Sequence, residues 1–548
     1  MRRLLGVTVM IATATSLAAT PTDAEVKALL EERLSLPRGG VGLVVGIVDA
    51  SGKRVIVAGV PAVGSKEPLS GQTVFEIGSV TKVFTSLALA SMVEKKEVAL
   101  TDPVAKFLPK GTKVPTRDGK DITLQDLATQ TSGLPRLPSN LAPKDRANPY
   151  ADYTAQRLYD FLAEAQLPRA IGAQYEYSNL GVGLLGHALS REAGVDFDHL
   201  IHARITGPLK LSNTAVALTP AMKQHLAPGH DGELKATANW DFDALAGCGA
   251  LRSTADDLLT FLSAELGYAK TPLAGAMAAQ LVPRRPTDLP NTEIALGWHV
   301  TTTKTSQHVW HNGGTGGYQS YVGFDPKTKV GVVVLSNAAT LLRIDDLGQH
   351  LLDPSIPVSK PSVHTEITLT PAQLEAFTGR YAITPQFVLT VTHEGDGLFV
   401  QATGQGKMPV FAESPRGFFA RLVDAQVTFD QDVDGKASGL TLHQGGRDTP
   451  ARRIGDAPAP VVRQTIAVDV KVLETYVGRY VVSPAFALTI TRDGERLFLQ
   501  ATNQPKLELF AEQPNRFFVK EVEASITFTE QGLVLHQNGN DVPAKRER

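Results

Sequence analysis

The 548-residue sequence has a single cysteine, Cys248, so no disulfide can form within the chain and stability has to come from apolar burial. Cys248 stands in Ala246-Gly247-Cys248-Gly249-Ala250, which reads as close packing of a small thiol. Beyond the first residues, no stretch has the roughly 20 uninterrupted apolar positions of a membrane-crossing helix. Neither sign of charge is in excess: Lys and Arg number 54, Asp and Glu 56, and the net charge is −2. Nothing therefore points to nucleic acid or an acidic membrane surface as a partner. Metal-ligand patterns are missing too. His299, His308 and His311 are near in sequence, but no His-Glu-x-x-His and no cysteine pair accompanies them. His308 and His311 stand three apart on a strand-like run, so they face opposite ways. Neither a metal nor a cofactor is expected.

What is present begins with Arg2-Arg3, followed by the charge-free, apolar or small run Leu4–Ala19 and a small-x-small site at Ser16-Leu17-Ala18. This pattern predicts a signal peptide over residues 1–24 and a periplasmic or secreted protein with no transmembrane anchor once it is cleaved. From 25 to 355, strand-like and helix-like segments alternate irregularly. Strands are expected at Val41–Val48, Lys53–Ala58, Val309–Trp310, Tyr318–Phe324 and Val330–Leu335. Helices are expected at Ser79–Lys95, Leu158–Gln166, Asn179–Ala193 and Asp256–Leu266, the last begun by Ser253-Thr254. Antiparallel strands with a separate group of helices predict an α+β domain.

A Pro- and Ser-rich linker (356–368) leads into a duplication. Leu374-Glu375-Ala376-Phe377-Thr378-Gly379-Arg380-Tyr381 recurs 99 positions later as Leu473-Glu474-Thr475-Tyr476-Val477-Gly478-Arg479-Tyr480. Leu442-His443-Gln444 recurs after only 93, as Leu535-His536-Gln537, so the second copy is shorter near Asp432 and Asp434. Each copy is a string of short strands broken by Gly, Asp and Asn. Two small all-β, barrel-like domains are expected, at 369–455 and 465–548, with a second linker at 456–464.

Ser79-Val80-Thr81-Lys82 opens an apolar helical run, and residues three apart share a helix face, so the Lys82 amine can reach the Ser79 hydroxyl. A serine hydroxyl is a weak nucleophile until a base takes its proton. Tyr177-Ser178-Asn179 adds a phenol able to relay protons and an amide able to bond the lysine. Tyr175-x-Tyr177 is a decoy at near spacing. His311-Asn312-Gly313-Gly314 follows Trp310 at a strand entry, with glycines that permit close backbone approach.

Together these motifs resemble the penicillin-recognising serine hydrolases, in the branch with Tyr-x-Asn and His-x-Gly. That branch holds class C β-lactamase-like enzymes and the serine peptidases related to DD-carboxypeptidase and D-aminopeptidase; a hydrolase of linearised microcystin is a further relative. Leu127-Ala128-Thr129-Gln130-Thr131-Ser132-Gly133-Leu134-Pro135 is similar to another family segment, with Gln130 where histidine is usual, and so is Ala246–Asp257. The resemblance implies a β-lactamase/penicillin-binding-protein-like fold with Ser79 as nucleophile and Lys82 and Tyr177 sharing the proton work. It further implies that Asn179 orients, that His311 replaces the third-motif lysine, that Gly313 flanks the substrate, and that the backbone N–H groups of Ser79 and Gly314 form the oxyanion hole. Lys304-Thr305-Ser306 lacks the glycine of Lys-Thr-Gly and is passed over for His311. The expected activity is hydrolysis of short or D-residue-containing peptides through an acyl-enzyme. Carboxylesterase or weak β-lactamase activity is the alternative on the same residues, and a penicillin-binding sensor without turnover is the alternative of another class. The partner is a small peptide or ester substrate; the oligomeric state is left open.

Overall fold

The computed structural model describes residues 20–548 apart from 146, 305, 360–363, 385–386, 404–406, 421–424, 432–435, 445–446, 458–464, 484–485, 503–505, 520–523, 538–539 and 548. The expected signal segment and parts of both linkers lie largely outside the described residues, as do Asp432 and Asp434. The chain forms two compact units, residues 1–361 and 362–548.

In the first unit, helix α1 (Asp23–Ser35) is started by a capping box between Thr22 and Glu25. It precedes the hairpin β1 (Gly42–Asp49) and β2 (Gly52–Gly59). Helices α2 (Thr81–Glu94), α3 (Asn179–Ala193) and α4 (Ala255–Glu265) follow. The chain then runs through β3 (Arg285–Pro286), β4 (Thr292–Ile294), β5 (His299–Thr302), β6 (Gln307–Gly314), β7 (Gln319–Asp325), β8 (Val330–Ser336) and helix α5 (Asp345–Leu352). The eight strands make one antiparallel sheet in the order β2-β1-β8-β7-β6-β5-β4-β3.

Alternation along β1 explains the layering. Leu43, Val45 and Ile47 pack with Val26 and Leu30 of α1 and Leu347 and Leu351 of α5. Val44 and Val48 face the other way, into the larger core with Leu258, Phe261 and Leu262 of α4 and the apolar face of α2. The sheet is thus covered on both faces, and α2 runs through the larger core with twelve of its residues buried.

The second unit holds two closed barrels of eight strands each, both in simple sequential order. The first runs from Gly379–Thr384 to Arg447–Gly455, the second from Gly478–Ser483 to Asn540–Arg546. Closure leaves no unpaired edge, which suits short strands of alternating pattern. A short helix precedes each barrel, Pro371–Glu375 and Val470–Tyr476, and sends Leu374 or Leu473 into the interior. The length difference between the copies falls in one hairpin. The strand ending at Gln431 resumes at Ala437, whereas its counterpart ends at Thr529 and resumes at Gly532.

Candidate active site

Ser79 does not begin the long helix as the sequence pattern predicts. It occupies a single 3₁₀ turn, Gly78–Val80, with α2 starting at Thr81. The turn is held from behind. The strand Val74–Glu76 pairs with Arg252–Thr254, the Ile77 N–H donates to the Leu251 carbonyl (3.0 Å), and the Leu251 N–H donates to Thr81 Oγ1 (3.1 Å). Glu76 and Arg252, both buried, bond each other at 3.3 Å; burial pushes the Glu76 carboxyl above the usual carboxylate range, opposed by the Arg252 charge. Gly78 has φ +47°, in the left-handed region, and a Cβ there would stand 2.7 Å from Gly314 N and O.

Lys82 lies one helical turn on and is fully buried. Its Nζ is 2.8 Å from Ser79 Oγ, 2.9 Å from Asn179 Oδ1 and 2.7 Å from the Cys248 carbonyl oxygen. The Asn179 amide is oriented by chemistry: Oδ1 faces the amine, which can only donate to it, and Nδ2 donates to the Tyr150 hydroxyl at 3.0 Å. Asn179 opens α3, capped by Ser178, whose hydroxyl accepts from the Gly181 N–H. Tyr177, just before the cap, places its ring centroid 4.8 Å from Lys82 Nζ.

His311, Gly313 and Gly314 sit at the exit of β6, not at a strand entry: the strand runs the whole length Gln307–Gly314. The glycines read as a turn in sequence, yet here they are paired, with Ser320 and Gln319 of β7. Small size is needed because a Cβ on Gly313 would collide with the Ile77 carbonyl and the Ser320 hydroxyl, themselves hydrogen-bonded at 2.7 Å. Pairing of β6 with β5 ends at Trp310–His299, so the His311–Gly314 stretch runs on beside the Ser79 turn. Lys304 and Ser306 lie in the turn at the opposite end of β6; Thr305 is outside the described residues.

His311 is buried and neutral in character: burial, then the neighbouring His299 and Lys82 charges, hold its pKa well below the ordinary value. Its Nδ1–H donates to the Asn312 carbonyl (2.6 Å), which leaves Nε2 as a buried acceptor without a hydrogen-bond partner among the described residues. Its ring centroid is 6.3 Å from that of Tyr177 and 5.1 Å from that of His299. The decoy Tyr175 bonds His299 Nε2 at 3.2 Å and stays out of the Ser79–Lys82 contacts. His308, on the same strand, is also buried; among the described residues no group of three or more His, Cys, Asp or Glu side chains is arranged to hold a metal.

All seven residues singled out in the sequence, Ser79, Lys82, Tyr177, Asn179, His311, Gly313 and Gly314, are therefore gathered around one turn. Others were missed. The Cys248 carbonyl holds Lys82, while its thiol is buried and pushed up to about 11 by desolvation. A carbonyl acceptor has no side-chain signature, and only the unusual glycine density of Ala246–Ala250 hinted at it. Gln130, with φ +59°, accepts the Ser178 N–H on Oε1 (2.8 Å) and the Glu176 N–H on its carbonyl, so the Tyr177 loop is tied to it from both sides. Tyr150, stacked on Phe242 at 4.7 Å, supports Asn179 and gave no signal in its local sequence. Arg136 lies over the Tyr177 ring, 5.0 Å from guanidinium carbon to centroid.

The arrangement has the parts that acylation of a serine requires. A partly exposed serine hydroxyl lies against a buried amine held at three points, with a strand end rich in glycine alongside.

Comparison with known proteins gives the family. The Beta-lactamase family matches residues 26–352, and a domain of unknown function (DUF3471) matches residues 364–453 and 462–536. The chain is 27% identical over 329 residues to the D-alanyl-D-alanine-carboxypeptidase/endopeptidase AmpH of Escherichia coli (strain K12), covering 58% of this chain and 84% of that protein. It is 27% identical over 332 residues to a beta-lactamase of the same organism, covering 54% and 84%. Among solved structures, a beta-lactamase/D-alanine carboxypeptidase from Yersinia pestis superposes with a TM-score of 0.54 at 25% identity, covering 61% of this chain and 99% of that one. The chain belongs to the Beta-lactamase family and is a serine hydrolase of that family.

Proposed function

We propose that the protein is an exported serine peptidase that cleaves short or D-residue-containing peptides through an acyl-enzyme on Ser79. The observation that carries this reading is the triple anchoring of a fully buried Lys82 amine on Ser79 Oγ, Asn179 Oδ1 and the Cys248 carbonyl. Two of its N–H groups can be given to the two carbonyl-type acceptors while the third position of the nitrogen faces the Ser79 hydroxyl, so that an amine relieved of its extra proton presents its lone pair to the Ser79 proton.

Ser79 Oγ attacks the amide carbonyl carbon and its proton passes to Lys82. The tetrahedral oxyanion is held by the N–H groups of Ser79 and Gly314, donors of a kind worth about 100- to 1,000-fold in rate each. The carbon–nitrogen bond breaks, and the amine leaves with a proton delivered through Lys82 and Tyr177. Water then adds to the Ser79 ester, releases the acid and restores the hydroxyl. Asn179 keeps the amine aimed throughout. Export is supported by Arg2-Arg3 and the charge-free Leu4–Ala19 that follows, and would be read as a new N-terminus on the protein recovered from outside the cytoplasm.

The resemblance implies that His-x-Gly at the third motif, His311 to Gly313 here, goes with peptidase and esterase members of the family rather than potent β-lactamases, which supports peptides over β-lactams as productive substrates. D-alanyl peptides, p-nitrophenyl esters and nitrocefin, each with wild type and Ser79→Ala, test the reading. Faster turnover of peptides, an acyl adduct on Ser79 by mass spectrometry and its loss in the variant are expected. Peptide cleavage that persists in Ser79→Ala would sink the mechanism; nitrocefin or esters turned over while peptides are not would replace peptidase with those activities.

A further inference from the structure

A cavity of about 220 Å³ lies beside the turn that anchors Lys82, lined by the last turns of α3, the residues just after it and the segment around Ala246. Ala246 and Gly247 form part of its wall. The next residue, Cys248, gives its carbonyl to Lys82 at 2.7 Å, and the Gly247 carbonyl accepts the Thr85 hydroxyl of α2 at 2.7 Å. Gly247 is also pressed on Gly186 of α3: a Cβ on either would stand 2.8 Å from the other's Cα. The turn that anchors the amine thus borders both α2 and the cavity.

The lining combines buried apolar side chains, among them Phe197 and Ala244, with two exposed charged residues, Arg191 and Asp243. Neither of the two has an ion-pair partner among the described residues. Arg191 donates Nε–H to the Phe107 carbonyl (3.1 Å) and reaches the Tyr159 hydroxyl, which leaves N–H groups of its five unspent. Burial raises the Asp243 carboxyl, and no cation offsets that. The other titratable groups are satisfied. Asp196 accepts the backbone N–H and the ring Nδ1–H of His199, both at 2.8 Å. Burial, then the Arg191 charge, lowers His187 to about 4, and its Nε2 bonds the Tyr159 hydroxyl at 2.6 Å. Ser190 is only 7% exposed, and its hydroxyl has no hydrogen-bond partner among the described residues. A buried hydroxyl left unbonded costs free energy that a polar group of a ligand would recover.

We propose that this cavity is a second binding site, for a free amino acid with a small apolar side chain, and that its occupancy is felt at Lys82 through the Ala246–Cys248 turn. Arg191 takes the ligand's carboxylate, Asp243 its ammonium group and Ser190 one further hydrogen bond, while the side chain lies against Phe197 and the alanines. Opposite charges in one cavity select a zwitterion over a plain anion or cation. The volume is below the roughly 300–1,000 Å³ of sites for drug-sized ligands, so the occupant is small. A ligand held by both Arg191 and Asp243 ties α3 to the segment that leads into the turn, where the Asp243 carbonyl accepts the Ala246 N–H at 3.1 Å. Occupancy thereby restrains the Cys248 carbonyl and, with it, the amine. The site shares no residue with the acyl-enzyme machinery, so it stands whichever substrate Ser79 serves.

The test is isothermal titration of the full chain with racemic valine, against valinamide, which lacks the carboxylate, and 3-methylbutanoate, which lacks the amine. Saturable binding of valine with a Kd of about 1 mM is expected, and each analogue should bind about 10-fold or more weakly. Arg191→Gln and Asp243→Asn should each weaken valine by a similar factor, while hydrolysis at Ser79 without valine stays at the wild-type rate. Kinetics then locate the site, on whichever of the peptide, ester and nitrocefin substrates is turned over, so failure of the peptidase reading leaves this test intact. Valine should change kcat by about 2- to 10-fold with KM unmoved, and the change should vanish in both variants. No saturation at about ten times the expected Kd, equal binding of all three probes, or valine affinity untouched by both variants overturns the proposal. A rise in KM alone places valine in the Ser79 cleft and overturns it as well. Binding that leaves kcat and KM unchanged keeps the site and overturns its coupling to Lys82. Should either variant fail to fold by thermal unfolding, Ser190→Leu, which fills the cavity, takes its place, and valine binding retained there counts against the site.

Discussion

The two units of the chain bury different chemistry. The first buries Lys82, Glu76, Arg252, His299, His308 and His311, whereas Ser525 is the buried polar side chain of the second among the described residues. The barrel interiors are built from Leu, Val, Ile and Phe, with one tyrosine in each whose hydroxyl bonds back to a carbonyl: Tyr381 to Phe377 and Tyr480 to Tyr476. The duplicated contacts repeat closely. Phe377 stacks on Phe429 at 4.6 Å and Tyr476 on Phe528 at 4.0 Å; His443 bridges Asp448 and Thr428 as His536 bridges Asp541 and Thr527. Burying an ionisable group is costly unless neighbours satisfy it. Among the described residues, the first unit thus buries ionisable groups near one serine, and the two barrels bury almost none.

The sharpest way to break this contrast is Lys82→Met. It should lower turnover by about 1,000-fold or more, since the base is gone. Thermal unfolding of the first unit should move by only a few degrees, because the amine has no carboxylate partner to lose. Retained turnover would remove Lys82 from the chemistry. The mirror experiment is Phe429→Ala, which empties a stacked site in the first barrel. It should cost that barrel about 3–5 kcal/mol in denaturant unfolding while hydrolysis at Ser79 continues. Equal loss in both readouts would mean that the units are not separable.

Acid should act on the first unit before the second. Burial, then the Lys82 charge, lowers His299 to about 4, and His311 is held down in the same direction. An unfolded histidine titrates near its ordinary value of about 6.5, so between pH 6.5 and 4 the unfolded chain takes up protons that the folded one refuses. Stability therefore falls as the pH drops through that window, by up to about 1.4 kcal/mol per pH unit for each such histidine, and is unaffected above it. Denaturant midpoints at pH 7 and pH 5 should show this fall, and His299→Gln should flatten it; an identical slope in the variant would refute the assignment. The smallest effect is expected from Arg492→Gln in the second barrel. Its pair with Glu474, at 2.6 Å, has side chains 28% and 60% exposed, so no more than about 0.5 kcal/mol should be lost.

Local pattern was enough for a good part of this protein. The helix Asn179–Ala193 stands where Ser178 as cap and Gly194 beyond the end put it, with Gly194 at φ +68°. The hairpin at 42–59 and the repeated short strands follow from alternation, and the repeat offset foretold which hairpin is shorter in the second barrel. Ser79 and Lys82 are neighbours because a turn of helix makes them so.

Other features depend on parts of the chain that meet only on folding. Gly313 and Gly314 belong to a strand because the Ile77–Ser79 turn presses on them from more than two hundred positions away in sequence. Lys82 is held by a backbone carbonyl at 248, and the Tyr177 loop by the side chain and carbonyl of Gln130. Arg136 reaches Tyr177 because the N–H groups at the start of α3 bond its carbonyl. Residue spacing within one helix or strand is set by the backbone's own geometry and can be read from sequence; backbone acceptors, van der Waals limits and cation–ring contacts are set by which segments pack together, and only the tertiary structure decided those.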